Sequence, residues 1–287
     1  MEMPSLPHHN GWRIVLCTAL ALIAFAANSL LCRLALGNSA IDPAGFSTIR
    51  ILSGAAVLVG IALARRHHHS RIAGGWTSAT LLVLYAVPFS FAYVSLSAGT
   101  GALILFGAVQ ATMFIVALYA GERPHISQWI GLSCAFGGLV YLVMPGLTAP
   151  SPLGSALMAT AGVAWGAYSL RGQGKSDPLA ETAGNFLRAA PLVIAISIAT
   201  LSGLRLTPSG ISLALLSGAV ASGFGYAIWY TALAGLTSTK AATVQLTVPI
   251  LAAVGGVLWL GETISLRQII SAILVLGGVG LTLQRRR

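Results

Sequence analysis

Residues 118–138 read LYAGERPHISQWIGLSCAFGG, and residues 258–278 read LWLGETISLRQIISAILVLGG. Laid over one another without a gap, Gly121-Glu122 falls on Gly261-Glu262, Gln128 on Gln268, Ile130 on Ile270 and Gly137-Gly138 on Gly277-Gly278. Leu and Gly match readily by chance in so apolar a chain. Glu does not, because only six acidic residues occur among 287. The same offset carries AYVSLSAGTGA (92–102) onto ALAGLTSTKAA (232–242), and AFAANSL (24–30) onto AWGAYSL (164–170). The chain reads as an internal duplication.

Composition sets the solvent. Hydrophobic residues make up 56% of the chain and charged residues 8%, against about 25% charged in soluble domains. So few charges cannot cover a globule with water-compatible surface, so the surroundings are lipid. The net charge of +10 does not make a nucleic-acid binder, because the basic residues fall in short turns and at the ends instead of on one face. A negative membrane surface accounts for them. Cys17, Cys32 and Cys134 lie in or beside apolar runs without ligand spacing and read as small hydrophobes. The run His67 to His69 offers no metal-binding geometry, and neither a metal nor a cofactor is expected.

Cutting at charges, Pro/Gly clusters and polar turns leaves ten apolar segments: 14–36, 46–64, 76–96, 100–120, 126–144, 153–170, 182–201, 211–233, 240–260 and 266–283. Each is long enough, at about 20 residues, to cross a ~30 Å hydrocarbon core as helix. The first is too long for a signal peptide and reads as a retained span. The expected fold is an all-α membrane protein of ten transmembrane helices. Residues 1–13 are expected as a cytoplasmic N-terminal segment and 14–144 as the first five-helix repeat. Residues 145–152 then connect to a second repeat at 153–284, and 285–287 form a basic tail.

With a cytoplasmic N-terminus, the inner side receives Arg13, Arg65, Arg66, Arg71, Arg123, Arg171, Lys175, Lys240 and Arg285 to Arg287, and the outer side only Arg205 and Arg267. That asymmetry obeys the positive-inside rule and predicts both termini on the cytoplasmic side. Arg33 and Arg50 are expected to snorkel from the outer ends of their helices. Arg188, beside Asn185 and two turns into the seventh segment, has no such escape. Five segments per copy is an odd number, so the second copy enters the membrane from the opposite face, as an inverted repeat suited to alternating access.

Two five-helix copies, each with a small-residue run, then GE, then a Gln and a GG-containing last helix, resemble the drug/metabolite transporter superfamily of EamA type. The resemblance spans essentially the whole chain. The length and the tyrosine-rich third and eighth segments are similar to bacterial amino-acid exporters, above all those of the YddG type for aromatic amino acids. The resemblance implies a central cavity lined by helices 1, 3, 4, 6, 8 and 9.

Polar or aromatic residues inside a span need protein or water to face. On the implied lining helices these are Asn28, Tyr85, Phe89, Gln110, Trp165, Tyr168, Tyr226, Trp229 and Gln245. Together they predict a mostly apolar substrate site with a few polar anchors, while Tyr93 and Tyr230 suit the interfacial belt. Pro88 and Pro249, with Gly107, Gly223 and Gly225, are expected hinges, since a mid-helix Pro removes a backbone bond. Gly137, Gly138, Gly277, Gly278 and Gly280 are expected at close helix contacts. Glu122 is expected at the polar turn between the fourth and fifth helices, favouring the dipole of the helix that follows, and its repeat partner Glu262 at the opposite surface.

None of the acids (Glu2, Asp42, Glu122, Asp177, Glu181, Glu262) is placed at mid-membrane, where ion coupling usually wants a carboxylate. The expectation is therefore export of small organic metabolites, amino acids including aromatic ones, by facilitated diffusion. The alternative is a proton-coupled exporter of drugs or other metabolites such as nucleosides or cationic compounds. An intramembrane enzyme is disfavoured, because the chain has neither HExxH nor a mid-membrane Asp pair. The partners expected are the substrate and the lipid bilayer, and no nucleic acid.

Overall fold

The computed structural model describes residues 11–65, 73–121, 125–146, 149–236 and 238–283. Glu122, Arg123, Arg66, Arg71, the His67 to His69 run and the basic tail lie outside the described residues. The order is α1 (Gly11–Gly37), α2 (Pro43–Ala64), α3 (Trp76–Tyr93), α4 (Ala98–Tyr119), α5 (Ile126–Val143), α6 (Pro152–Gly172) and α7 (Pro178–Ala199). Then come α8 (Pro208–Leu215), a π-helical segment Leu216–Phe224, α9 (Gly225–Leu233), α10 (Ser238–Gln245), α11 (Thr247–Leu260) and α12 (Leu266–Leu283). Among the described residues there is no strand, only an antiparallel bridge between Ile41 and Leu206.

Each expected apolar segment coincides with one helix or one consecutive set. The eighth is the continuous rod Pro208–Leu233, and the ninth is α10 and α11, parted at Leu246. Among the described residues, eight helical stretches are long and apolar enough to cross a membrane, and α12 adds a shorter apolar helix. Starts are written locally. Asp42, Ser151, Asp177 and Thr207 each accept a backbone N–H from the first turn of α2, α6, α7 and α8, and Pro follows each of them. Such a cap satisfies an orphan donor, and Pro at the first helical position lacks an N–H that would be orphaned anyway.

The helix pairings turn into themselves when the two halves are exchanged. α5 packs on α12, α2 on α7 and α4 on α11, each helix meeting its own counterpart. α3 lies against α6 as α1 lies against the α8–α9 rod, and α4 against α6 as α1 against α11. α3 lies against α7 as α2 against the π segment.

The opening pair shows the relation at atomic detail. Gln128 Oε1 accepts from the His125 N–H at 2.8 Å, and Gln268 Oε1 accepts from the Ser265 N–H at 2.7 Å. These are the same helix-capping bond in both copies. Gly121 and Gly261 both take the left-handed conformation (φ +85° and +65°) that Gly adopts without penalty. α5 and α12 then cross antiparallel. A Cβ on Gly131 would strike the Gly278 carbonyl, and one on Gly278 would strike the Gly131 carbonyl. A Cβ on Gly138 would meet Leu274 at 2.7 Å.

The close contact thus uses Gly131, Gly138 and Gly278. Gly137, Gly277 and Gly280, expected to share it, have open space where a Cβ would stand. The helical period decides this, since i+1 neighbours point about 100° apart. Replacement of Gly278 by Leu is expected to abolish most of the monodisperse protein seen in size-exclusion chromatography in detergent. Gly277→Leu, on the exposed face of the same helix, is expected to leave it unchanged.

Candidate functional site

A cavity of about 380 Å³ runs down the middle of the bundle. It starts at an exposed mouth formed by Arg171 to Lys175 and Pro178, between α6 and α7. From Ser78 to Phe89 it follows α3 for eleven residues, about 16 Å at the helical rise. All nine residues expected as lining surround it: Asn28, Tyr85, Phe89, Gln110, Trp165, Tyr168, Tyr226, Trp229 and Gln245. Phe25 and Tyr230 join them. Tyr230 is therefore a wall residue and not a belt residue, and Tyr93, the other expected belt residue, is fully buried.

The aromatic rings form one continuous surface. Trp165 stacks on Tyr168 (5.3 Å between centroids) and on Tyr226 (5.6 Å), and meets Tyr85 at 4.8 Å. Phe25 sits edge-on to Trp229 at 5.7 Å. At the offset of 140, Phe25 corresponds to Trp165, Asn28 to Tyr168, Phe89 to Trp229 and Leu105 to Gln245, and both members of every pair line the cavity. The cavity therefore takes wall residues from both halves at matching positions.

Polar atoms in the wall are tied to the second layer. Asn28 Oδ1 accepts from Ser217 Oγ at 2.7 Å, and its Nδ2 donates to Ser222 Oγ at 3.3 Å. Both serines belong to the π segment, where a wider helical turn puts them on one side. Gly223 lies in this segment and Gly225 opens α9 directly after it. Pro88 sits inside an unbroken α3, and Gly107 meets Leu139 from α5. Pro249 was expected mid-helix. It lies in the first turn of α11 because the ninth segment breaks at Leu246, and there Pro removes no interior bond.

Two charged residues, Arg50 and Arg33, depart from the sequence reading. Arg50 does not snorkel: it is 2% exposed. Its Nη2 donates to Tyr85 Oη at 2.9 Å, its Nε to Ser222 Oγ at 3.3 Å, and its guanidinium lies 4.9 Å from the Phe89 ring centroid. The available signal was spacing, since Arg50 shares the i, i+4, i+8 stripe with Phe46, Gly54 and Leu58, all buried. Arg33 does not snorkel either; its Nε pairs with Glu262 Oε1 at 3.1 Å, and its Nη1 donates to the Tyr93 and Val94 carbonyls.

Glu262 in turn serves another helix, not the one that follows it. Its carboxylate accepts the Ala98 N–H at 2.9 Å, at the start of α4, while Ser265 and Gln268 cap α12. Glu262 and Arg33 thus tie the ends of α1, α3, α4 and α11 together, at the end of the bundle away from the mouth. Arg188 reaches the Ala73 carbonyl at 2.7 Å, and Asn185 accepts from the Gly75 N–H at 3.0 Å. Both hold the approach to α3.

An all-helical bundle with membrane-length apolar helices around a solute-sized, aromatic cavity defines a multi-pass membrane protein that handles small molecules. The chain belongs to the EamA-like transporter family, whose model matches it twice, over residues 12–144 and 152–284. An uncharacterized protein of Pseudomonas aeruginosa is 49% identical over 274 residues, 96% of each chain. The threonine/homoserine exporter RhtA of Salmonella typhimurium is 30% identical over 181 residues, 60% of this chain and 59% of that one. A solved crystal structure of 20% identity superposes with a TM-score of 0.63, over 92% of this chain and 95% of the other, and so shares the fold.

Replacing Glu262 by Gln removes the charge that Arg33 and the α4 N-terminus share. The expected loss is about 2 kcal/mol, from the range for hydrogen bonds to charged groups, read as a lowered melting temperature in detergent. Gln at Glu181, whose pair with Lys175 is half exposed, is expected to change stability by less than about 0.5 kcal/mol.

Proposed function

We propose that the protein exports amino acids, aromatic ones among them, across the bacterial inner membrane by alternating access, without a coupling ion. The observation that carries this reading is a cavity open at one end and sealed at the other, lined by rings and amides drawn from both matching halves. The antiparallel crossing of α5 and α12, counterpart helices, supports ten spans in two inverted repeats, residues 14–144 and 153–284. The mouth carries Arg171 and Lys175, and basic turns face the cytoplasm. The cavity therefore faces the cytoplasm, as loading for export requires, and both termini lie there too.

Transport then consists of parting the Glu262–Arg33 end while the mouth closes. Pro88 and the π segment with Gly223 and Gly225 are the pivots, assisted by Gly107 and by Pro249 next to the break at Leu246. The nine lining residues hold the substrate through ring contact and dipoles. The export of threonine and homoserine by RhtA is in keeping with an amino-acid substrate, and the rings of this wall suit bulkier, aromatic side chains as well.

Purified protein in proteoliposomes is expected to exchange labelled amino acids in counterflow. Trp165→Ala is expected to raise the half-saturating concentration about tenfold or more, from ring contacts worth about 0.5–1.5 kcal/mol each. An imposed pH gradient is expected to drive no accumulation. Uphill uptake on that gradient, or uptake confined to nucleosides or cationic dyes, would refute the reading.

A further inference from the structure

Arg50 is a buried cation without a counter-ion among the described residues. Its two ordered donors go to neutral hydroxyls, Tyr85 Oη and Ser222 Oγ, and Nη1 is buried with no hydrogen-bond partner at all. A guanidinium in such a place is expensive unless an anion meets it. The described ion pairs, Arg33–Glu262 and Lys175–Glu181, leave Arg50 out.

Its surroundings belong to the cavity. Tyr85 and Phe89, whose rings pack on the guanidinium, line the deep half of the cavity. Asn28, another wall residue, shares the Ser222 hydroxyl with it. One layer of side chains separates Arg50 from the cavity, and the Tyr85 hydroxyl occupies the position that a ligand oxygen would take.

The matched half points the same way. Arg50 stands eight residues after the capping Asp42 of α2, and Asn185 stands eight residues after the capping Asp177 of α7. Asn185 lines the cavity and donates to Tyr168 Oη at 3.2 Å; Tyr168 is the counterpart of Asn28 and not of Tyr85, so the two positions share their step on the helix and a tyrosine hydroxyl as acceptor. If the halves exchange roles during transport, Arg50 comes to the wall when the opposite end opens.

We propose that Arg50 is the group that recognises the carboxylate of the substrate, and that a carboxylate displaces the Tyr85 hydroxyl to take Nη1 and Nη2 together. This assignment rests on the transport reading above and narrows its substrate to carboxylate-bearing solutes. A planar guanidinium meets a carboxylate through two parallel bonds, and the ring-lined remainder of the cavity takes the side chain. Without Arg50 the deep half of the wall holds a solute through ring contact and neutral dipoles alone.

The test compares acids with their amides. Purified protein is titrated with phenylalanine and phenylalaninamide, leucine and leucinamide, threonine and threoninamide, following the melting temperature. The same compounds compete in proteoliposome counterflow. Each acid is expected to act at about tenfold lower concentration than its amide, the size of a charged hydrogen-bond pair. Arg50→Gln is expected to bring that ratio to about 1, while Arg50→Lys keeps part of it. Should the Gln variant fail to fold, Tyr85→Phe frees Nη2 and is expected to raise the ratio in the wild-type background. Equal potency of acid and amide, or an unchanged ratio in Arg50→Gln, overturns the assignment while leaving transport itself standing. Absence of transport of every solute overturns the transport reading instead, and absence of any acid-dependent stabilisation overturns the role of Arg50.

Discussion

Two glycines pressed against each other's carbonyls, Gly131 on α5 and Gly278 on α12, set the relation between the halves of this protein. In lipid, helices gain little from burying apolar area, so close backbone approach and internal polar bonds decide which surfaces meet. The antiparallel crossing joins the last helix of each half and fixes their mutual direction. Alongside that crossing α2 meets α7 and α4 meets α11, and the cavity lies between α1, α3, α6 and α9.

The two ends of that cavity differ because the halves are alike without being identical. At the closed end Arg33 and Glu262 draw four helix ends together, with the α4 N-terminus adding its own partial positive charge. The residue that corresponds to Arg33 is Gln173, an exposed member of the mouth. The pair described at the mouth, Lys175–Glu181, joins only the α6–α7 turn to the start of α7, and so does not draw separate helices together as Arg33–Glu262 does.

Much of this was legible before any coordinates. Segment length placed the helices, and the offset of 140 exposed the duplication, because rare residues such as Glu122, Glu262, Gln128 and Gln268 recur where common ones carry no signal. The nine residues gathered around the cavity were readable because a polar or aromatic side chain within a span must face something other than lipid. Partners were not legible. The repeat places Glu262 at a surface turn, but no local pattern gives its acceptor role at the start of α4, 164 positions away in sequence. Arg50 was read as a snorkelling residue near a helix end, because no local feature announces that Tyr85 and Ser222 stand ready for it. The π segment arises from packing against α1 and α2, with Gly218 pressed on Arg50 and Ser53, and nothing in its own composition requires it.

The central claim is that two matching halves lie in opposite directions across the bilayer. It is tested most directly by labelling counterpart positions, His125→Cys and Ser265→Cys, each in a background lacking Cys17, Cys32 and Cys134. A membrane-impermeant maleimide is then applied to right-side-out and inside-out vesicles. The account predicts that position 125 is labelled only from the cytoplasmic face and position 265 only from the opposite face. Labelling of both from one face would contradict it.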